Sequence, residues 1–538
     1  MSVVSVSEVK YSPEVTTMKF NKKVGLENRP GVVRNAEGDI AFQLDARTRL
    51  AVMGAARLVG EKQFYRSGEQ ADAELAAAIA DVVKVDPEFV LQTAVWLRKE
   101  MNLRDTPLFI CGEYANNPDA FIMTDEGAWI NRVSGASDYV AACIGRPDGI
   151  SNLLAYQFNL NAARKKRGLP VHTRVPSMIK KGIAKAFPKF DAYSIKKNDA
   201  AGRQVRLRDA LRMCRPTAAD EQQRVMFNQL YHDELPTPMT WEVMRSTGKM
   251  NWHQVINEVF YHKGKVNNYM AILRNLANCL GAPDVTNDDI ILLSRMISDP
   301  EAVARGKQFP FRYLSAYREV VDIKHPMRNT ILDGIQAAYA LSVENIPRLP
   351  GITLIASDTS VSMNTPISAK SKIEYIDIGL TLSVLANKIC DNSITGVFGT
   401  DFVPVAVPKI SGLEVASLGI EWSRLTGWAT YGHKVIDYLR DRNLAVDRIM
   451  MFTDTVLYST TCRGDVARAW DAYRAIAPNA TLYIFDLAGT GNIFVPPGKN
   501  VVAIGGWSDK VLNFCTAFEN QSALVDHIKS AYGKYGKN

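Results

Sequence analysis

The residues best suited to chemistry in this chain are Asp358, Ser360 and Ser362, in the stretch Pro350-Gly-Ile-Thr-Leu-Ile-Ala-Ser-Asp-Thr-Ser-Val-Ser-Met363. One carboxylate and two hydroxyls, alternating along a turning loop, can point into a single oxygen-lined pocket. Oxygen donors of this kind suit a hard cation such as Mg²⁺, which keeps several waters and takes few protein ligands. The run before them, Ile352 to Ala356, is short and apolar, with the flanks of a buried strand. The same spacing also suits an Asx-type turn capping the helix that follows. Spacing alone leaves both roles open.

A strand emptying into Asp-x-Ser-x-Ser resembles the metal-ion-dependent adhesion site of von Willebrand factor A domains. The resemblance implies that a threonine from mid-domain and an aspartate at a later strand end complete the metal shell. Thr430 lies in Leu425-Thr-Gly-Trp-Ala-Thr-Tyr-Gly432, and Asp454 ends the apolar run Arg448-Ile-Met-Met-Phe-Thr-Asp454. Both follow in the right order. Members of that family usually carry Gly-Gly before the threonine and Gly after the aspartate, where this chain has Trp428-Ala429 and Thr455. The expected ligand set is therefore Asp358, Ser360, Ser362, Thr430 and Asp454, holding a divalent metal such as Mg²⁺.

The elements that position these groups follow from pattern and punctuation. At 538 residues the chain predicts two to four domains. With 47% hydrophobic and 22% charged residues it can bury full cores. Residues 1–42 are mixed and polar and read as an extended segment wrapping a neighbouring surface. Residues 43–343 read as helical almost throughout. The clearest unit is a pair, Ala73 to Val83 and Phe89 to Met101, broken at Asp86-Pro87, an N-cap followed by proline at the first helical position. Val90, Ala94, Leu97 and Met101 share one face of the second helix. The Asp-Pro start recurs at Asp299-Pro300. Helix pairs with short connections suggest an α-solenoid of divergent HEAT-like repeats.

Residues 344–351 hold two prolines and a glycine and read as a linker. Beyond it, in 352–538, strand-like runs alternate with helices. The strands are Ile352–Ala356, Ile394–Phe398, Arg448–Phe452, Thr481–Phe485 and Val501–Ile504; the helices lie near Ile373–Asn387, His433–Leu439 and Gly464–Ala475. That alternation predicts a doubly wound, Rossmann-like α/β domain. Ligands of such sheets sit beyond the carboxyl ends of the strands, where Asp358 and Asp454 would lie. The overall class is a multidomain α plus α/β protein.

The seven cysteines, Cys111, Cys143, Cys214, Cys279, Cys390, Cys462 and Cys515, are scattered without a Cys-x-x-Cys pair. They support neither a disulfide framework nor a zinc site and suit a reducing compartment. No run is long enough to span a membrane, and the N-terminus lacks signal-peptide regions. A cytoplasmic protein is expected.

The net charge of +8 is concentrated: between Arg164 and Arg215 stand sixteen lysines and arginines against Asp191, Asp199 and Asp209. That local excess of thirteen leaves the rest of the chain acidic by about five. The expected phosphate-binding cations are Arg164, Lys165, Lys166, Arg167, Lys180, Lys181, Lys185, Lys196, Lys197, Arg206, Arg208 and Arg212, with Arg274 and Arg312 as weaker candidates. Lysine and arginine neutralise phosphates and release counterions. Phe187, Phe190 and Tyr193 among them could stack bases, though near-helical spacing equally suits a core. A solvated basic face or an anionic-lipid patch is the plainer reading of such a run; its localisation on an otherwise acidic chain favours nucleic acid.

Helical repeats carrying a basic patch and followed by an A domain resemble the Ro autoantigen (TROVE) family over nearly the whole chain. The resemblance is carried by Gly60-Glu-Lys-Gln-Phe-Tyr65, Met178-Ile-Lys-Lys-Gly-Ile-Ala-Lys185, Arg208-Asp-Ala-Leu-Arg-Met213, Tyr269-Met-Ala-Ile-Leu-Arg-Asn-Leu276, Phe309-Pro-Phe-Arg-Tyr-Leu314 and the Asp358 segment. It implies a monomeric ring of HEAT-like repeats closed by the A domain. The implied function is capture of single-stranded 3′ ends of misfolded or defective RNAs, with small noncoding Y-like RNAs bound on the outer surface. Bacterial members are associated with exoribonucleases such as polynucleotide phosphorylase. One departure is Leu207, where the family commonly has a histidine in the Y RNA surface.

Two other functions compete. A protein-only adaptor would use its metal site to bind a partner's carboxylate and leave the basic segment unused; lacking a Gly-x-x-x-x-Gly-Lys-Ser/Thr loop, it would need a separate motor chain. A metal-dependent hydrolase would need a second carboxylate cluster or a placed histidine base, and the sequence offers neither. A noncatalytic RNA-binding protein is the expectation.

Overall fold

Helix starts are set by side chains that satisfy the first free backbone N–H groups. In the computed structural model, Ser67 and Gln70 form a reciprocal capping box at Gly68–Val85. Asp86 accepts from Phe89 N at 3.3 Å, with Pro87 opening the helix Pro87–Lys99. Asp299 accepts from Ala302 N at 2.7 Å ahead of Pro300–Gly306. Val90, Ala94, Leu97 and Met101 are buried together, as their spacing predicts. The first helix of that pair starts five residues earlier than its apolar pattern, because the capping box lies upstream.

The structure describes residues 25–533 except 167, 169–173, 200, 237–238, 343–345, 370, 408–412, 415–418, 459–463, 509, 514 and 516–523. Helices run from Ala46–Ala55 to Arg328–Leu341, interrupted by two small hairpins, Phe121–Met123 with Trp129–Asn131 and Tyr261–His262 with Lys265–Val266. A π-helical turn at Val255–Phe260 precedes the second hairpin. Periodicity does not reveal these interruptions, since strands of two or three residues carry no measurable pattern. Six described cysteines are buried, and none of them forms a disulfide; Cys462 lies outside the described residues. No described helix is long and apolar enough to cross a membrane.

The C-terminal part holds a six-stranded sheet. Its spatial order is Val501–Gly505, Thr481–Asp486, Arg448–Thr453, Leu349–Asp358, Cys390–Phe398 and Phe402–Pro404. The first five strands are parallel, and the last is an antiparallel edge. The Leu349–Asp358 strand begins inside the stretch read as a linker, with an irregular register between Leu349 and Ile352 where Gly351 and Pro350 interrupt it. Central strands are buried on both faces, so their sequences are continuous apolar runs rather than alternating ones. Register places Phe452 beside Ser357 and Thr453 beside Asp486. The acidic residues at these strand ends therefore line one edge.

The two parts share a core. The helix Tyr375–Ile389 is buried nearly throughout, because it lies between the sheet and the helical half. Tyr339 Oη donates to Thr381 O at 2.6 Å, and Arg318 pairs with buried Asp377 at 2.7 Å. At the other end of the helical run, Val52 packs directly on Gly505: a Cβ there would lie 2.1 Å from Val52 O. Both ends of the helical half thus rest on the sheet domain. Upstream, Val32–Arg34 and Ile40–Gln43 form a hairpin whose second strand pairs with Asn492–Ile493. Leu26, Ile40 and Phe42 join the apolar cluster of the sheet domain.

The helix Leu524–Tyr532 returns to Pro87–Lys99. Glu100 receives Tyr532 Oη at 2.7 Å and His527 Nε2 at 3.0 Å, and Lys529 pairs with Asp86 at 2.7 Å. The Glu100 hydrogen bond holds the His527 pKa above its ordinary value. A histidine with a raised folded pKa stabilises below its unfolded pKa and loses that contribution as pH rises through the folded value. Protection of the 524–532 backbone against hydrogen exchange, corrected for intrinsic rate, is expected to fall between about pH 6 and pH 8. His527→Gln should flatten that fall; an unchanged profile would remove the ion pair from the account.

Candidate metal centre and basic surface

Four of the five expected ligands meet at the carboxyl edge of the sheet. Asp358 ends the central strand, and a tight turn carries Ser360 and Ser362 into a short helical turn, Val361–Asn364. Asp358 Oδ1 accepts from Ser360 N at 2.9 Å and Oδ2 from Thr453 Oγ1 at 2.6 Å. The Ser360 and Ser362 hydroxyls are 3.3 Å apart, and the Ser362 hydroxyl also bonds Asp454. All four residues are buried. Burial and then the neighbouring Asp454 charge push the Asp358 carboxyl well above the usual range; burial does the same to Asp454.

Thr430 stands apart. Its hydroxyl accepts from Tyr458 N at 2.8 Å, and among the described residues no hydrogen bond joins it to the other four. The loop is held from the other side, where Tyr431 N donates to Gly399 O at 2.8 Å. Thr455 has φ +63°, the left-handed region that favours glycine. This accounts for glycine in the family pattern at that position. Here the β-branched residue is retained by Thr455 N donating to Thr453 Oγ1 at 3.1 Å and by a hydroxyl contact to Thr490.

Sequence reasoning missed several neighbours. Asp486, at the end of Thr481–Asp486, is a third buried carboxylate on this edge, pushed up to about 6 by burial. Gly491 N and Thr490 Oγ1 donate to it at 3.0 Å. It follows an apolar run just as Asp454 does, which was the available signal. The helical half supplies the rest. Arg57 is buried, donates Nε to Gly489 O at 2.9 Å, and shares Glu74 with Arg66. Arg66 and then Arg57 oppose the upward push on Asp486, and Arg66 also opposes it at Asp454. Tyr65 reaches Ser362 and Glu37, and burial with the Glu37 bond raises its hydroxyl pKa. No local pattern marks these long-range contacts, although Tyr65 closes a segment that carries the family resemblance.

The basic segment divides into pinned and unpinned cations. Arg206 bridges Asp199 at 2.6 Å and Asp233 at 2.7 Å, and Arg208 also reaches Asp233 at 3.2 Å. Asp199 additionally caps the helix Leu207–Cys214 through Leu207 N at 2.8 Å. Lys185 pairs with Asp138, and Lys197 with Glu242. Arg212 lies over the Tyr231 ring at 4.5 Å and donates to Tyr231 O. By contrast Lys165, Lys166, Lys180, Lys181 and Lys196 make no ion pair among the described residues, and neither does Arg164 at the end of the helix Pro147–Lys166. Arg167 lies outside the described residues. Leu207 is wholly buried, so that position adds nothing to the surface. Phe187 is buried too, while Tyr193 is exposed.

Asp358→Asn removes one of the three carboxylates from the buried edge while keeping an oxygen for Ser360 N. A carboxyl whose folded pKa lies above its unfolded value destabilises increasingly as pH rises. With divalent ions chelated, the variant should melt higher than wild type at about pH 8, and the gap should shrink toward about pH 4. Equal melting at the higher pH would show that the edge carries no such repulsion.

Residues 232–349 match the TROVE domain family. No curated protein sequence matches the chain. The fold is that of the Deinococcus radiodurans Ro (RSR) protein crystal structure, with TM-score 0.57 and 17% identity over 89% of this chain and 100% of that one. The sequence match is confined to residues 232–349, and the likeness to the Ro protein is one of fold.

Proposed function

We propose that the protein is a noncatalytic, RNA-binding ring of the cytoplasm that captures single-stranded 3′ ends of defective RNAs. The observation that carries this is a TROVE domain in a helical half whose Lys165, Lys166, Lys180 and Lys181 lack carboxylate partners among the described residues. Unpaired lysines can exchange small counterions for phosphates, whereas Arg206 and Arg208 would first have to give up Asp233. Closure into a ring is supported by the packing of both ends of the helical run on the sheet domain. On this reading a Y-like RNA binds the outer basic face and a partner exoribonuclease degrades the captured RNA.

The A-domain edge fits a divalent cation, Mg²⁺, by its chemistry: carboxylates and hydroxyls, with no sulfur or imidazole. Among the described residues no three His, Cys, Asp or Glu side chains cluster closely enough to hold a metal. Ser360 and Ser362 and bound waters would therefore supply much of the coordination beside Asp358 and Asp454, with Thr430 joining only if its loop shifts from Tyr458. The cation would neutralise the buried pair.

A structured RNA with a single-stranded 3′ tail is expected to bind more tightly than its blunt counterpart, and to do so at physiological salt. Replacing Lys165, Lys166, Lys180 and Lys181 with glutamine should reduce the slope of log affinity against log salt by about 0.7 for each phosphate left without its lysine. Equal, weak binding of both RNAs would refute end capture. Asp358→Asn should abolish Mg²⁺-dependent thermal stabilisation while RNA affinity changes less than about twofold. Parallel loss of both in a folded variant would show that the two sites are one.

A further inference from the structure

An open cleft of about 750 Å³ lies within the segment that matches the TROVE domain, outside the groups already assigned. Its volume is within the range of small-ligand sites. Trp241, Arg245, Trp252, Asn275, Asn278 and Asp284 line it. Trp241 opens the helix Trp241–Ser246, and Phe260 braces its ring edge-on, with centroids 5.4 Å apart and planes at 72°. Phe260 ends the π-helical turn, so that irregular backbone positions the brace. The Arg245 guanidinium lies 5.2 Å from the Trp252 ring centroid.

The charges of the cleft are unequally committed. Glu242 is neutralised by Lys197 at 3.0 Å, and Asp284 accepts from His253 N at 3.1 Å. Arg245 makes no ion pair among the described residues, and its Nε is buried without a hydrogen-bond partner. Asn278 is exposed and donates one N–H to Asn275 Oδ1 at 3.0 Å. Its carbonyl oxygen and second N–H remain for a ligand edge. A braced indole, a guanidinium without an ion pair among the described residues and an amide presenting one donor and one acceptor suit a planar, anionic, hydrogen-bonding group. An unpaired nucleotide is such a group: its base stacks on aromatic or guanidinium planes, and amides read its edge.

We propose that this cleft is a subsite for one unpaired nucleotide of a bound RNA, with Trp241 stacking the base, Asn278 meeting its edge and Arg245 near its phosphate. Lys197, joined to Glu242 on the rim, connects the subsite to the basic segment. The inference rests on the RNA-binding reading and adds to it a place where a base, rather than the backbone, is gripped.

The test uses the full chain and a labelled RNA hairpin with a single-stranded 3′ tail, beside free mononucleotides. Trp241→Ala and Asn278→Asp should each weaken tailed-RNA binding about tenfold, and Trp241→Phe should bind nearly as wild type. The salt slope should stay unchanged in both Trp241 variants, because neither alters a charge. Asn278 is exposed, so its variant is expected to fold even if Trp241→Ala does not. Wild-type affinity in a folded Asn278→Asp would overturn the subsite while leaving end capture standing. Mononucleotides binding as tightly as the tailed RNA would also overturn it, in favour of a free-nucleotide site. A wild-type chain that binds no RNA would sink both readings at once.

Discussion

Two carboxylates buried side by side are the constraint around which the sheet domain is arranged. Asp358 and Asp454 stand at the ends of adjacent strands, and every local hydrogen bond they accept comes from a neutral group: Ser360 N, Thr453 Oγ1, Val456 N and the Ser362 hydroxyl. Neutral donors soften such a pair without cancelling its charge. The positive charges that act on this edge, Arg66 on Asp454 and Asp486 and Arg57 on Asp486, come from the helical half and are themselves tethered by Glu74. The edge therefore belongs to both halves. A change in how the helices seat on the sheet would alter the field at the carboxylates, and a cation at the carboxylates would act back on that seat.

The basic segment is arranged in the opposite way. Asp199 and the neighbouring Asp233 fasten arginines that shape the fold, while Lys165, Lys166, Lys180, Lys181 and Lys196 are left without an ion pair among the described residues. Arginine's planar fork suits a fixed double contact such as Arg206 with Asp199 and Asp233, whereas a lysine on a flexible stem suits a ligand whose phosphates vary in position. A charge count over this region thus overstates what is available to an anionic ligand, and the pairing pattern corrects it.

How much could be read from the chain alone depended on the range of the interaction. The strand–loop signature at Asp358 and the apolar run ending at Asp454 are local, and both residues stand at the strand ends that those patterns predict. Asp486 obeys the same local rule but lacks a motif to draw attention to it. Thr430 was placed by resemblance; in the structure its loop is fixed by Gly399 and Tyr458, contacts that no spacing in 425–432 encodes. Tyr65, Arg57 and Arg66 reach the edge across more than 290 residues of sequence. Leu207 fell in a basic stretch and is nonetheless core, because the apolar stripe of Leu207–Cys214 runs through it.

The pairing of Ile40–Gln43 with Asn492–Ile493, together with Val52 against Gly505, bears on the order in which the chain can mature. A ribosome makes the hairpin and first helix early and their partners some 450 residues later. Until then Phe42, Val52 and their neighbours have no native cover, and the middle helices must fold without an anchored start. Contacts so distant in sequence form slowly and leave apolar surface exposed meanwhile. The strands Asn492–Ile493 and Val501–Gly505 act as the clasp. Truncation or stalling near residue 490 would release a chain with both the clasp and the surface it covers left open.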